Sequence, residues 1–186
     1  MLKKILLAIA ALVILGIAVI AVAAIVTPTE CKVEREITIN RPKADVFDYV
    51  KKIKHQNTWG PWFKKDPAMK QEFRGNDGFV GFVSSWKSEN ADVGAGEQEI
   101  MRIIEGERID TQLRFKEPME STADAHLVTE ATGPGSTKVR WGFTTAMPRP
   151  LNLMMLAVDM DQLIGKDFQE GLDNLKQILE TPPTVN

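Results

Sequence analysis

The side chains able to do chemistry near neutral pH are few and scattered. His55 and His126 are the two histidines, and Cys31 the one cysteine, among 186 residues. A two-histidine metal site would need carboxylate partners at ligand spacing, and no spacing suggests them. His126 shares a strand face with Asp124 and Glu130, opposite Ala125 and Leu127, which reads as a solvated side rather than the seat of a general base. His55 ends a lysine-rich helix, a common surface position. Cys31 lies in a linker, cannot form an internal disulfide, and follows Pro28-Thr29-Glu30 rather than the small residues of a lipoprotein signal. Glu97 and Glu99 share one strand face, with Arg102 on the other. A paired-carboxylate hydrolase needs two acids aimed into a cleft, whereas same-face strand acids are ordinarily the wet side. Lys64-Lys65-Asp66 is a mixed-charge loop, not a phosphate cradle. Asp159 and Asp161 read as exposed helix residues without an acid–base role. Phosphate-loop, dinucleotide, HExxH, CxxC and GxSxG sequences are all missing. The expectation is therefore no catalytic residue, no metal and no cofactor.

What the chain does offer is aromatic and thioether surface. Trp59, Trp62 and Phe63 cluster in a short stretch. Phe82, Trp86, Leu113, Trp141 and Phe143 fall mid-strand, and Phe168 lies on a helical stripe. Met147, Met154, Met155 and Met160 gather ahead of that helix. Large aromatics usually fill a core, but with methionine they also line adaptable apolar pockets. The run Leu151–Val158 is apolar enough to touch a bilayer.

The elements that would position these residues follow from periodicity. Val33–Asn40 alternates as a half-buried strand, and Asn40 with Pro42 opens an amphipathic helix over Pro42–Ile53, carrying Val46, Phe47, Val50 and Ile53. A short turn or helical stretch, His55–Phe63, ends at Gly60-Pro61. From Lys70 to Met147 turn signals separate six more strands, 2 to 7; strand 3 covers Phe79–Lys87. Ile109, Thr111, Leu113 and Phe115 share one face of strand 5, and Val139, Trp141, Phe143 and Thr145 one face of strand 7. Leu151–Glu180 reads as a short helix, a break at Gly165, and a long helix striped by Phe168, Leu172, Leu175 and Leu179. Pro182-Pro183 stops it, leaving a tail over 182–186. One apolar helix stripe needs one apolar sheet face to cover it. The expected class is α+β: a curved antiparallel sheet of about seven strands around the C-terminal helix.

Ile5–Val26 contains only Ile, Leu, Val, Ala and Gly16. As a helix it reaches ~33 Å, enough for a hydrocarbon core. Lys3 and Lys4 precede it and Glu30 follows, which puts the N-terminus in the cytoplasm and the rest of the chain across a membrane. Ala21-Val22-Ala23 also fits a signal-peptidase pattern, but the apolar run is longer than a typical signal core. The expected division is a single-pass anchor over 1–27, a linker over 28–32, one domain over 33–181, and the tail. Apart from Lys3 and Lys4 the chain carries 21 basic against 25 acidic residues. That balance gives no nucleic-acid footprint and no polybasic lipid-binding surface.

Several stretches resemble the START-like (SRPBCC) superfamily of polyketide cyclase/dehydrase and lipid-transfer domains. They are Ile37-Thr38-Ile39-Asn40-Arg41-Pro42 with Val46-Phe47, Trp59-Gly60-Pro61-Trp62, Val93-Gly94-Ala95-Gly96-Glu97-Gln98, Thr137–Phe143, and Phe168–Lys176. In order they span about Val33 to Glu180. The resemblance implies a helix-grip fold with a hydrophobic cavity between sheet and long helix. Trp59, Trp62 and Phe63 would then lie near its mouth, and Phe82, Trp86, Leu113, Trp141, Phe143, Met147, Met154, Met155 and Phe168 would line it. The expected function is binding of a hydrophobic or lipid-like molecule beside the bilayer, without nucleic acid. The alternatives are a tethered protein-interaction module with a filled core, and a cyclase- or hydrolase-type enzyme. The fold hosts binders, transporters and a few cyclases.

Overall fold

In the computed structural model, which describes residues 1–181, the chain opens with α1 (Leu2–Val26) and β1 (Glu30–Ile39). Three short helices follow: α2 (Lys43–Val50), α3 (Gln56–Trp59) and α4 (Pro61–Lys65). Then come β2 (Lys70–Arg74), β3 (Val83–Lys87), β4 (Ala95–Ile104), β5 (Arg108–Glu117), β6 (Ser121–Gly133) and β7 (Ser136–Ala146). A 3-10 segment, Leu151–Leu156, precedes the last helix, α5 (Met160–Glu180). The strands form one seven-stranded sheet in the order β1-β7-β6-β5-β4-β3-β2. From β2 to β7 each strand pairs antiparallel with the next, and β1 lies beside β7 at the far edge from β2. The chain between β1 and β2 therefore crosses the full width of the sheet, and α2 to α4 make that crossing. α5 buries Gly165, Phe168, Gly171, Leu172 and Leu175 along one stripe. Together these are the layers of a helix-grip fold, as the element order suggests.

Four boundaries differ from expectation, each for a local reason. β1 begins at Glu30, so Cys31 is a buried strand residue rather than part of a linker. Asn40 caps nothing with its side chain; its backbone N–H donates to Glu180 Oε1 at 2.7 Å, and α2 starts after Pro42 and ends at Val50. Pro61 does not end a helical stretch. It opens α4 at a position where a missing N–H goes unnoticed. β3 starts at Val83, four residues later than the alternation suggests, because Gly75, Gly78 and Gly81 all have φ between 83° and 84° and leave Phe79 and Val80 exposed in a turn.

The break before α5 falls at Ala157–Asp159, not at Gly165. Gly165 is buried in an unbroken helix, and the Arg35 guanidinium occupies the space a Cβ would need. The glycine admits an arginine rather than a kink. Pro182-Pro183 and the tail lie outside the described residues.

The chain divides into two compact units. One holds residues 1–31 with Ala146–Met160, and the other holds Lys32–Thr145 with the chain from Asp161. In the first, α1 is 25 residues long, its most apolar window has a mean hydropathy of 3.3, and none of that window is buried, so it is apolar enough to cross a membrane. The second contains the sheet interior and its hydrophobic core.

Candidate functional site

Cross-strand register in the second unit sorts the inner sheet face into rows. In one of these, Ile109 faces Leu127, which faces Trp141, and each is at most 5% exposed. The next row runs Ile100, Thr111, Ala125, Phe143, again all buried. The third runs Ser84, Gln98, Leu113, Ala123, Thr145; here Gln98, Leu113 and Thr145 are only half-buried. The last runs Trp86, Gly96, Phe115, Ser121, with both aromatics half-buried and Ser121 exposed. The grip is closed at the Ile109 end and opens toward Trp86 and Phe115.

Large side chains fill the closed end. Trp141 stacks on Phe168 with centroids 4.0 Å apart and planes 4° apart, and Trp59 meets Trp141 edge-on at 4.8 Å. Trp62 packs edge-on against both, at 5.6 and 6.3 Å, and Phe143 does the same to Phe168 at 6.3 Å. Room for this cluster comes from Gly171, where a Cβ would lie 2.8 Å from Trp141 Cζ3. The indole N–H of Trp59 is buried without a hydrogen-bond partner, which costs stability in so apolar a setting.

The open end is built differently. Trp86 lies across Gly96, where a Cβ would meet Trp86 Cζ2 at 2.8 Å. Its N–H donates to the Val93 carbonyl at 3.2 Å, and Phe115 meets its ring edge-on at 5.9 Å. Small side chains adjoin these rings, Gly96 in the same row and Ser84 and Ala123 in the row beside it. One polar pair interrupts the surface, Gln98 Nε2 donating to Thr111 Oγ1 at 3.1 Å. Beside α5, α4 carries Trp62 and Phe63 and is fixed from two sides. Ser88 Oγ donates to Asp66 at 2.5 Å and Asn90 Nδ2 to the Lys65 carbonyl; Lys64 and Lys65 reach Asn174 and Asp167 of α5.

Of the residues expected to line a cavity, Trp59, Phe82, Trp141, Phe143 and Phe168 are buried in the core cluster. Phe82 stacks on Phe73 at 6.1 Å, apart from the tryptophans. Trp62, Phe63, Trp86 and Leu113 are half-buried. Met147, Met154 and Met155 belong to the other compact unit. Phe115, Gln98 and Arg35 were not singled out as site residues. The same-face alternation on strand 5 pointed to Phe115, whereas the cross-strand partner that places Gln98 at Leu113 is invisible without register.

Arg35 occupies an inward position of β1 and forks onto both carboxylate oxygens of Asp161 at 2.8 Å. The hydrogen bond from Arg35 holds the Asp161 carboxyl below its usual range, and the same bond raises the guanidinium. A solvent-open groove of about 600 Å³ runs beside them along α5, lined by polar side chains such as Gln162, Gln169 and Asp173.

The outward face carries the paired charges. Arg114 donates to Glu97 and Glu99, each at 2.7 Å, and the Arg114 hydrogen bond holds the Glu97 carboxyl low. Burial alone would push Asp110 up, but hydrogen bonds from Arg102 and Arg108 outweigh it and leave it low. His126 is half-buried rather than freely solvated: its ring lies over Gly142 and Nε2 meets Glu34 Oε2 at 2.9 Å. Among the described residues no Asp, Glu or His is buried, and the four inner rows from Ile109 to Trp86 hold none of them.

Solved structures share this architecture at low sequence identity. A truncated norcoclaurine synthase from Thalictrum flavum aligns with TM-score 0.62 at 12% identity, covering 84% of this chain and 98% of that one. The same enzyme in complex with dopamine and hydroxybenzaldehyde gives 0.60 at 11%, over 88% and 94%. A protein from Nitrosospira multiformis gives 0.58 at 15% identity, over 81% and 97%. No curated protein sequence matches. The family model described as polyketide cyclase/dehydrase and lipid transport matches residues 30–180, and with the helix-grip layers in place the chain belongs to that START-like family.

Proposed function

We propose that this chain is a membrane-anchored START-like domain that binds a small hydrophobic or lipid-like molecule on the open rows of its grip. The observation that carries the reading is the contrast in side-chain size along one sheet face. Ser84, Gly96 and Ala123 recede beside half-buried Trp86, Leu113 and Phe115. Such a surface is largely apolar and is carried by a sheet, with one amide–hydroxyl pair to orient a polar end. The lipid-transport description of the family supports the ligand class. The norcoclaurine synthase complex gives an instance of this fold with small aromatic molecules bound. The closed rows are filled by the Trp59–Trp141–Phe168 cluster, which leaves the open rows as the proposed seat of the ligand. The apolar α1 and the lysines before it support an anchor with the domain on the extracytoplasmic side.

Native mass spectrometry of the full chain released from nanodiscs should show a co-purified small molecule, and titration with oleate should change tryptophan fluorescence through Trp86. An unliganded mass together with unchanged fluorescence would overturn the proposal. A second reading, a tethered interaction module, is favoured by the filled closed end; it predicts that same null titration and capture of a protein partner that depends on exposed side chains.

A further inference from the structure

We propose that the segment between β7 and α5 is a second membrane contact, seated in the headgroup and upper acyl region where α1 leaves the bilayer. This rests on reading α1 as membrane-spanning. Within the first compact unit, the C-terminal carbonyls of α1 are taken by that segment's side chains. Arg149 Nε donates to the Ala24 carbonyl at 2.8 Å and Nη2 to that of Ile25 at 3.2 Å. Asn152 Nδ2 donates to Ala24 at 2.8 Å and to Thr27 at 2.9 Å. The Met147 N–H donates to the Thr29 carbonyl at 2.7 Å.

The last carbonyls of any helix lack intrahelical donors, and at a membrane boundary water is too sparse to serve them reliably. Arginine there also complements the negative end of the helix dipole. Asn152 is completely buried, so the clamp is a built contact rather than a surface coincidence.

The clamp fixes the height of everything attached to it. A helix whose apolar run starts after Lys4 crosses a hydrocarbon core of ~30 Å by about residue 25. The segment hydrogen-bonded to residues 24–27 therefore lies at the boundary. Four of its side chains are then presented without cover: Leu151 is 47% exposed, Met154 50%, Leu156 69% and Val158 39%. Pro148 and Pro150 precede them and Asp159 follows. In water this is a costly patch; at the acyl boundary the same side chains are solvated by lipid. A solvent-open groove of about 420 Å³ lies beside them in the same unit, lined by Met155, Met160, Cys31 and Asp159 among others. The lipid contact is apolar rather than electrostatic, since Arg149 is the segment's one cation and is engaged in the clamp.

The test uses the full chain with Cys31→Ser, reconstituted in nanodiscs of phosphatidylcholine and phosphatidylglycerol, with a nitroxide on a single introduced cysteine. Val13→Cys reports the anchor and Leu156→Cys the segment. Collision with oxygen, which concentrates in lipid, is compared with collision with a water-soluble nickel chelate. At both positions oxygen should dominate, more strongly at 13. Adding Asn152→Leu with Arg149→Gln should move the label at 156 toward nickel accessibility and leave the label at 13 unchanged. A label at 156 that collides with nickel as in water, while 13 stays in lipid, overturns the proposal and leaves the anchor intact. Nickel access at 13 overturns the anchor reading and this proposal with it.

Discussion

The two ends of the grip share one sheet and one α5 helix yet have opposite characters. At the closed end Trp59, Trp141 and Phe168 pack on one another, and Ile100, Ile109, Trp59, Leu172 and Leu175 are at most 1% exposed. At the open end small residues alternate with aromatics that keep part of their surface in solvent. Hydrophobic periodicity is the same in both, so apolar pattern alone does not separate a core from a binding surface. The size sequence along a row does.

Variants at the closed end should therefore have the largest effect. Leu172→Ala removes a completely buried side chain from the core cluster that also holds Trp59 and Trp141, and should cost about 3 kcal/mol, read as a lowered Tm or urea midpoint. Gly171→Ala tests the same region by addition. Its methyl would lie 2.8 Å from Trp141 and 3.5 Å from Trp59, so one ring must move, at about 1–3 kcal/mol. A Gly171→Ala protein as stable as wild type would mean that the closed end has slack, and would blur its contrast with the open end.

Leu113→Ala separates the two ends more finely. Leu113 is half-buried, so truncation should lower stability by less than Leu172→Ala does. If the open rows bind an apolar molecule, loss of contact with two or so methylenes should weaken oleate binding by about tenfold. Equal losses of stability at positions 113 and 172, with unchanged binding, would mark Leu113 as ordinary core.

Much of this was legible in the sequence, and the gaps have physical causes. Alternation in β5 and β7 exposed the inner face, and the α5 stripe called for that face as cover. Phe79 and Val80 mimicked a strand because alternation ignores backbone handedness, whereas Gly78 and Gly81 on either side turn the chain. Gly165 mimicked a helix break because the arginine that fills its space comes from β1, 130 residues away in sequence. Which aromatics fill the core and which rim an opening depends on cross-strand partners, and register is a tertiary property. The Arg149 and Asn152 clamp on α1 joins segments more than 120 residues apart and leaves no local trace.

The smallest expected effect lies on the outward face and serves as a control on the inner one. Hydrogen bonding from Arg114 lowers the Glu97 carboxyl, and neighbouring Lys116 and Arg74 add to it. A carboxyl depressed on folding contributes stability that is complete above its unfolded value of about 4.3 and fades as pH falls through its lower folded value. Glu97→Gln should thus lower stability slightly at pH 7 and make no difference at strongly acid pH, where the wild-type group is also neutral. The side chain is 18% exposed and the pair is open to salt screening, so the difference at pH 7 should be under about 1 kcal/mol and shrink in high salt. Oleate binding should not change, because Glu97 points away from the rows that carry Trp86 and Leu113. A binding defect in Glu97→Gln with the pH profile intact would move the ligand to the other side of the sheet, and the contrast between the two ends would then describe packing alone.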